Sequence, residues 1–468
     1  MQKISLISFL FLFFFNYAIK GQNAFVDNKN HEAISLLSKL IQFKSNSGKE
    51  QEIGSYLSNY CQEKGLNIHL FNKNDSMFNF SASLYPLNCG KPNIVFMSHL
   101  DVVSEGDTAD WTYPAYSGKI TETEIWGRGA IDCKGMAVMQ ISAILNFIKI
   151  SKEKDLPFNL TFLAVCNEEV NSSMGAGYIS KNFLKEINPA VIFGEGGSGM
   201  IGLIPSDTNK IVFGISIAEK STLWLNLEAK TKRSGHGAAP SELYANKRLI
   251  KALIKLLDEK RAISFDKITL RMFRELGEME GGLNGFIIKH INWKIFWPFV
   301  KKYFREDEPF HILVYNTFVV THISNPNVND NQIANKATAT LDCRLLPGTD
   351  EKKFLKKMKQ TVGPRISISI ISKSPTALPT IPDKYYENME KSISKIFPNS
   401  KTVPILFPAT SDNNYFRDKG IPVFGLIPTI LSKDLLETVH SSNERIRISD
   451  LENGIKVYSE FIINIINQ

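Results

Sequence analysis

Cysteine is scarce in this chain and poorly spaced for structural use. The 468 residues hold five (Cys61, Cys89, Cys133, Cys166 and Cys343). An odd count with no CxxC pair argues against a disulfide framework and against a thiolate zinc site. Buried thiols are the expectation, and a Cys61–Cys89 bridge is the alternative open to an exported protein. Blocks of like charge are missing as well. The formal net charge is +8, but no run of five or more basic or acidic residues occurs. That describes a mildly basic solvated surface and excludes a nucleic-acid footprint. There are no internal repeats, and no low-complexity tract beyond the first residues. Nor does any stretch reach the ~20 apolar residues that a membrane span needs. The longest, Ile4–Phe15, follows Met1-Gln2-Lys3 and has the form of a signal peptide. Residues 1–22 are therefore read as a leader, with an uncleaved anchor as the alternative because the apolar character trails on to Ile19. Export to a secreted, periplasmic or vacuolar/lysosomal location follows. Three Asn-X-Ser/Thr triplets, at Asn79, Asn159 and Asn171, matter only in a eukaryotic secretory pathway.

What is present is a regular alternation of strands and helices. At ~150 residues per domain the length suits two or three domains. His31–Phe43 and Gln51–Lys64 carry apolar residues at helical spacing, as does Gly135–Ile150. Ile68–Phe71, Ser81–Tyr85, Asn93–Met97, Leu160–Val165 and Ala190–Phe193 read as strands, several of them unbroken apolar runs. Such a pattern predicts an α/β fold with a mostly parallel sheet covered on both faces. From about Ala218 the texture changes. Thr222–Ala229, Ala337–Leu345 and Ile366–Ile371 alternate as half-exposed strands do, with helices expected at Tyr244–Leu257 and Glu351–Val362. This is an α+β unit, placed at 218–372 and inserted between the two parts of the first domain, 23–217 and 373–468. Within it, Gly281–Tyr315 is dense in aromatics. That segment is read either as an apolar wall for a bulky acyl group or as packing on the open sheet and a dimer contact. Helices at Tyr385–Ile396 and Asp450–Ile466, with short strands around Val403–Leu406 and Val423–Leu426, complete the chain.

Polar groups that bear chemistry gather at the predicted strand ends. His99 and Asp101 follow the Asn93–Met97 run, and Asn167-Glu168-Glu169 follows Leu160–Val165. Glu195, among glycines, follows Ala190–Phe193. Asp132 lies in Gly127–Gly135, and His440 lies near the C-terminus. Ligands collect at the C-terminal ends of strands in α/β sheets. Each group alone has a plain reading: a hydrogen-bonded histidine, a solvated glutamate pair, a tight glycine turn. Together the plain readings weaken, because carboxylates converging without a cation repel one another and raise their pKa values. A dinuclear metal site removes that difficulty.

The motifs SHLDVV (98–103), GRGAIDCKG (127–135), NEEV (167–170), GEGG (194–197), SGHGAAP (234–240), LDCRLLPG (341–348) and VHSSNE (439–444) resemble a known family. It comprises the zinc-dependent amidohydrolases that include carboxypeptidase S, aminoacylase, acetylornithine deacetylase and succinyl-diaminopimelate desuccinylase. The likeness is greatest to the carboxypeptidase S and N-fatty-acyl-amino-acid hydrolase branch. The resemblance implies a zinc-peptidase catalytic domain with an inserted, ferredoxin-like lid or dimerisation domain. It implies two zinc ions, with cobalt or manganese as alternatives: one on His99 and Glu195, the other on His440 and Glu169, with Asp132 bridging. Glu168 would be the general base, and Asp101 would orient His99 by accepting from its second ring nitrogen. His236, on the inserted domain, would bind the reaction's oxyanion, in several members from the partner subunit of a homodimer. Arg344 and Asn325 match substrate-binding positions, with Arg344 suited to a free carboxylate. Thr410-Ser411-Asp412 resembles a family turn near the site. Asn167, where Asp is usual, and Ala409, where Gly is common, depart from the pattern without removing a ligand. The implied reaction releases an amino acid from a peptide or an N-acyl amino acid. The alternatives are an inactive homologue acting as a binding or dimerisation module, and an aminopeptidase, which Arg344 disfavours.

Overall fold

Unbroken apolar runs become the interior strands of one large sheet. Asn93–His99 and Asn159–Val165 are buried at every position, as strands covered on both faces must be. In this computed structural model residues 29–74, 77–150, 155–240, 242–259, 261–304, 310–325 and 329–467 are described. The leader and anchor readings for residues 1–22 lie outside them. Eight strands run in the order Asn67–Asn74, Met77–Ser83, Asn159–Val165, Asn93–His99, Pro189–Ile201, Val423–Ile430, Ile211–Glu219, Ser400–Phe407. Asn93–His99 pairs in parallel with both of its neighbours. Val423–Ile430 is parallel to Pro189–Ile201, and Ser400–Phe407 to Ile211–Glu219. The first two strands are antiparallel and close one edge. The sheet is thus mostly parallel, and the Asn93–His99, Asn159–Val165 and Pro189–Ile201 strands leave their C-terminal ends side by side.

Helices Lys134–Ile150 and Ile448–Ile466 pack together over this sheet, where Phe96, Phe193, Phe424, Tyr458 and Phe461 interlock in the main core. Phe461 meets Phe193 edge-on, with ring centroids 4.6 Å apart. Because Ile448–Ile466 is the last helix, the core is complete only once the whole chain has been used.

Between the sheet's two contributions in sequence lies a second sheet, ordered Thr317–Ser324, Lys336–Leu345, Ser221–Lys230, Ile366–Lys373, with every pairing antiparallel. Helices Ala245–Leu257 and Glu351–Val362 cover one face and share its core. The edge strand Thr317–Ser324 was not expected from the sequence.

Three readings need correction. Cys61 is a buried free thiol as expected, but Cys89 is free and exposed, and the alternative of a bridge between them falls away. Gly194–Gly197 is not a turn but the middle of the 13-residue Pro189–Ile201 strand. A Cβ on Gly194 would lie 2.0 Å from Asn413 Oδ1, and one on Gly197 would lie 2.0 Å from the Gly214 carbonyl oxygen. The glycines allow neighbouring chain to close on the strand. The aromatic segment does not join the lid's core. Val300, Phe304, Leu313 and Val314 cluster with Ile204, Val212 and Val403 on the catalytic sheet's side, together with helix Lys267–Glu280. Its alternation of aromatics and lysines does not reveal which sheet it would choose.

A buried ion pair fastens the last sheet strands near the junction with the lid. Arg417 donates to Glu219, with both side chains almost fully enclosed. It also donates to the Ser216 and Val423 carbonyl oxygens at 3.1 Å each. Glu219 further accepts from Ser411 Oγ at 3.0 Å. Removing one member leaves an uncompensated buried charge. We expect Arg417→Ala to lower unfolding stability by about 3–5 kcal/mol, measured by denaturant titration. Arg417→Met with Glu219→Leu should recover most of that loss.

Candidate metal centre

His99 is the last residue of its strand and is almost fully enclosed. Its Nδ1 lies 2.9 Å from the backbone carbonyl oxygen of Asp101. A carbonyl can only accept, so Nδ1 carries a proton and Nε2 is the ring nitrogen that faces the site. Nε2 is 3.0 Å from Asp132 Oδ1 and 3.7 Å from Glu195 Oε2. On the other side, His440 Nε2 is 2.9 Å from Asp132 Oδ2 and 3.2 Å from Glu169 Oε2. Asp132 therefore turns one oxygen to each histidine, and each histidine has its own glutamate.

These separations fit donors sharing an ion. Ligands ~2.0–2.1 Å from a tetrahedral metal lie about 3.3 Å from one another. Two further groups share the space: Cys133, which clusters with His99, Asp132 and Glu195, and Glu168, which clusters with His99 and Glu169. The donor set of imidazole nitrogen and carboxylate oxygen suits zinc and its neighbours in the first transition row.

Electrostatics point the same way. Burial, then the charge of Glu195, pushes Glu168 well above the ordinary carboxylate range. Burial lifts Glu195 to about 7 against the hydrogen bond from His99. Burial also lifts Asp412 well above its usual value. Hydrogen bonds to Asp132 and Glu169 raise His440 to about 10. Burial opposes ionisation of Asp132, but His440 and His99 together hold it well below the carboxylate range. Carboxylates this crowded and enclosed call for cationic charge beyond two imidazoles. The Cys133 thiol, raised to about 12 by burial, stays protonated.

Asp101 differs from the expectation. Its carboxylate lies 3.6 Å from His99 Nδ1, and the backbone carbonyl takes the imidazole proton instead. The carboxylate accepts from the backbone N–H groups of Glu168 and Glu169 at 3.1 Å each. It also accepts from Ser47 Oγ at 2.6 Å. Asp101 thus sets the turn that aims the glutamate pair and orients His99 through its main chain. Glu444, for which the sequence suggested no role, holds the Asp132 loop. It accepts from Arg128 Nη1 at 2.8 Å and from the N–H groups of Gly129, Ile131 and Asp132 at 2.9, 3.0 and 3.1 Å. Its place in the VHSSNE motif was the available signal.

A cavity of about 190 Å³ opens beside the cluster. Glu168, Glu169 and His440 form one wall, and Arg344, Trp224 and Lys373 of the inserted unit face it. Arg344 is held by Asp342 through bonds of 2.9 and 3.0 Å. Trp224 Nε1 is a buried donor without a partner. Nearby Lys220 is lowered to about 7 by burial, then by the charges of Arg344 and Arg261. Sequence reading missed Trp224, inside strand Ser221–Lys230, and Lys220 and Lys373, whose signal was only their place at the ends of lid strands.

Two predicted residues, His236 and Asn325, belong neither to the cluster nor to the lining of this cavity. His236 sits on an exposed two-residue strand paired with Gln332, its Nδ1 accepting from Ala238 N at 3.1 Å. Asn325 donates within the lid, to the Lys336 carbonyl oxygen at 3.0 Å and to Asn246. None of the aromatic residues of 281–315 lines the cavity either, which removes the acyl-wall reading for this pocket.

The profile of Peptidase family M20/M25/M40 matches residues 95–464. A probable carboxypeptidase S-like 2 of Dictyostelium discoideum is 24% identical over 458 residues, covering 94% of this chain and 86% of that protein. The N-fatty-acyl-amino acid synthase/hydrolase PM20D1 of Homo sapiens is 26% identical over 392 residues, covering 82% and 76%. The M20 family metallo-carboxypeptidase Sso-CP2 of Sulfolobus solfataricus superposes with a TM-score of 0.68 at 20% identity, covering 93% of this chain and 99% of that one. With the motifs, the strand-end cluster and a family match spanning most of its length, this chain belongs to the M20/M25/M40 family of metal-dependent hydrolases.

Proposed function

We propose that this M20 hydrolase releases an amino acid from a peptide or N-acyl amino acid whose free carboxylate is bound by Arg344, at a centre of two zinc ions. The observation that carries the reading is the Asp132 carboxylate, which presents one oxygen to His99 and the other to His440. His99 and Glu195 would hold one ion and His440 and Glu169 the other, with cobalt or manganese as alternative occupants. Zinc pairs of this kind polarise an amide carbonyl and make water acidic at neutral pH.

The chain's own groups supply the rest. Glu168 takes a proton from the attacking water and delivers it to the departing nitrogen. Hydroxyl adds to the carbonyl carbon, the C–N bond breaks, and the amine leaves protonated. Asp101 positions Glu168 and Glu169 by accepting from their backbone N–H groups. Arg344, with Lys373 near it, gives the far end of the cavity the positive charge a substrate carboxylate needs. The unpaired Trp224 Nε1 can donate to the substrate. A basic pocket favours carboxylate recognition over the acidic one an aminopeptidase would require.

The lid, taken as residues 218–372, serves in this reading as a dimerisation unit. Ile250, Ile254 and Leu257 form an exposed apolar stripe on its helix, and Val319 and Ile323 are exposed on its edge strand. A symmetric partner covering these groups would bring His236 of one subunit to the other's oxyanion. Residues 1–22 act as the export leader, and among the described residues no helix is long and apolar enough to cross a membrane.

Glu168→Ala should lower kcat by about 10²–10⁴-fold while metal content, read by atomic emission, stays at two ions per chain. Asp132→Ala should lose both ions, and metal-depleted wild type should regain activity on adding zinc. Arg344→Ala should weaken transition-state binding of free-carboxylate substrates by about 1.5–3 kcal/mol and leave the corresponding amides unaffected. Equal losses on both would remove the carboxylate assignment. Mixed dimers of His236→Ala and Glu168→Ala chains should recover part of the activity that each parent lacks, because one of their two sites then has both groups intact. Absence of recovery in confirmed mixed dimers would place His236 outside the partner's site.

A further inference from the structure

Residues 282–304 present an unusual surface. They carry four lysines (Lys289, Lys294, Lys301 and Lys302) and no Asp or Glu. Leu283, Phe286, Trp293, Ile295 and Phe299 in the same segment are between 46 and 74% exposed. Large apolar side chains left in water at this density mark an interaction site. They are also held in place. Trp293 stacks on Phe296 at 5.9 Å between centroids, and Phe286 lies edge-on to both at 6.3 and 6.0 Å.

Two hollows flank this face. Arg274, Lys289, His290, Asn292 and Trp293 line a cleft of about 220 Å³ whose donors suit a phosphate. Behind the exposed face lies a larger apolar cavity of about 450 Å³, walled by Ile287, Ile288, Ile291, Val300 and Phe304. Phe299 borders it while remaining largely exposed. Negative charge is not wholly absent nearby. Glu278 is 3.1 Å from Lys289, and Glu280 accepts from Ser206 N at 2.9 Å. Glu306, Asp307 and Glu308 follow outside the described residues.

We propose that this face docks the enzyme on an anionic phospholipid surface. Ile295, Phe299, Leu283 and Trp293 enter the boundary between headgroups and acyl chains, the Arg274 cleft takes a lipid phosphate, and Lys294 and Lys301 face the headgroups. Trp, Phe and Leu beside Lys is the composition of segments that lie in that boundary. A second copy of this chain fits less well, since a two-fold contact would set lysine against lysine. A protein partner fits less well too, because protein interfaces are depleted in lysine.

The test is co-sedimentation with phosphatidylcholine vesicles, with and without phosphatidylserine, using the full chain both with and without residues 1–22 so that the apolar leader does not mask the effect. Wild type should pellet with the phosphatidylserine vesicles, and less so as salt rises. Ile295→Glu with Phe299→Glu should weaken binding by about tenfold or more, while hydrolysis of a small soluble substrate stays at the wild-type rate. If that double variant loses its melting transition, Leu283→Ser at the most exposed position replaces it. Vesicle binding that is absent in wild type, or equal in wild type and variants, overturns the proposal. So does a fall in solution mass in the variants with vesicle binding intact, which would assign the face to a second copy. Vesicle binding is read independently of hydrolysis, so the docking proposal and the catalytic reading can fail separately.

Discussion

One buried carboxylate holds the two ends of the catalytic unit in register. Glu444 accepts from Arg128 and from three backbone N–H groups of the loop that carries Asp132, more than 300 residues earlier in the chain. Those N–H groups lie in the interior and need a partner, since an unmade buried hydrogen bond costs about 1–3 kcal/mol. No regular element supplies one, because the loop lies between strand Glu124–Trp126 and helix Lys134–Ile150. Burial raises the proton affinity of Glu444, and Arg128 is the first influence opposing it. Arg128 is held in turn over the Trp111 ring at 5.3 Å. The orientation of Asp132, and with it the pairing of His99 and His440, follows from this contact. His440 is only four residues before Glu444, so one short segment delivers both a candidate ligand and the clasp.

Asp101 does the same for the opposite wall. Its two oxygens receive the Glu168 and Glu169 N–H groups, fixing a turn in which Asn167 has a left-handed backbone, φ 65°. Both glutamates then reach the cluster, Glu169 against His440 and Glu168 beside His99 and Glu169. Both clasps spend carboxylates on backbone rather than on the reacting centre. That is how a site with so many acidic groups keeps a defined geometry: some are neutralised by N–H donors, and the rest are left for cations.

The parts of this arrangement legible in the sequence were those set by local rules. Unbroken apolar runs predicted the interior strands, and the polar residues after them predicted where chemistry would gather. The helix at Glu351–Val362 was bounded correctly because Asp350 caps it and Gly363 ends it. Features set by distant contacts were not legible. Strand Ile211–Glu219 was overlooked, since Gly214 and Ser216 interrupt the apolar run that marks a strand buried on both faces. Gly194 and Gly197 looked like a turn because the backbone and side-chain atoms they avoid belong to Gly214 and Asn413. Period two placed Asp101 near His99 correctly but could not say whether side chain or main chain would accept the imidazole proton. The aromatic segment's composition announced burial or binding, yet only the fold shows it packed against Val212 and Val403.

The inserted unit divides its candidate residues in a way that bears on how the site works. Arg344 lies on Lys336–Leu345, an interior strand of the four-stranded sheet, and its side chain reaches both Asp342 and Thr410, the latter at 3.4 Å. Thr410 in turn donates to the Lys220 carbonyl oxygen at 2.7 Å, at the junction between the two sheets. Arg344 is therefore anchored to the catalytic unit, and the cavity keeps its basic end whatever else the lid does. His236 has no such tie. It lies on a short exposed strand paired with Gln332, and its ring accepts from Ala238 N. In the proposed reading, binding of a carboxylate and stabilisation of an oxyanion would thus fall to parts of the same insert with different constraints. The first would be fixed within one chain, whereas the second would require either a lid movement or another chain, whose contact the exposed Val319 and Ile323 on the edge strand would suit.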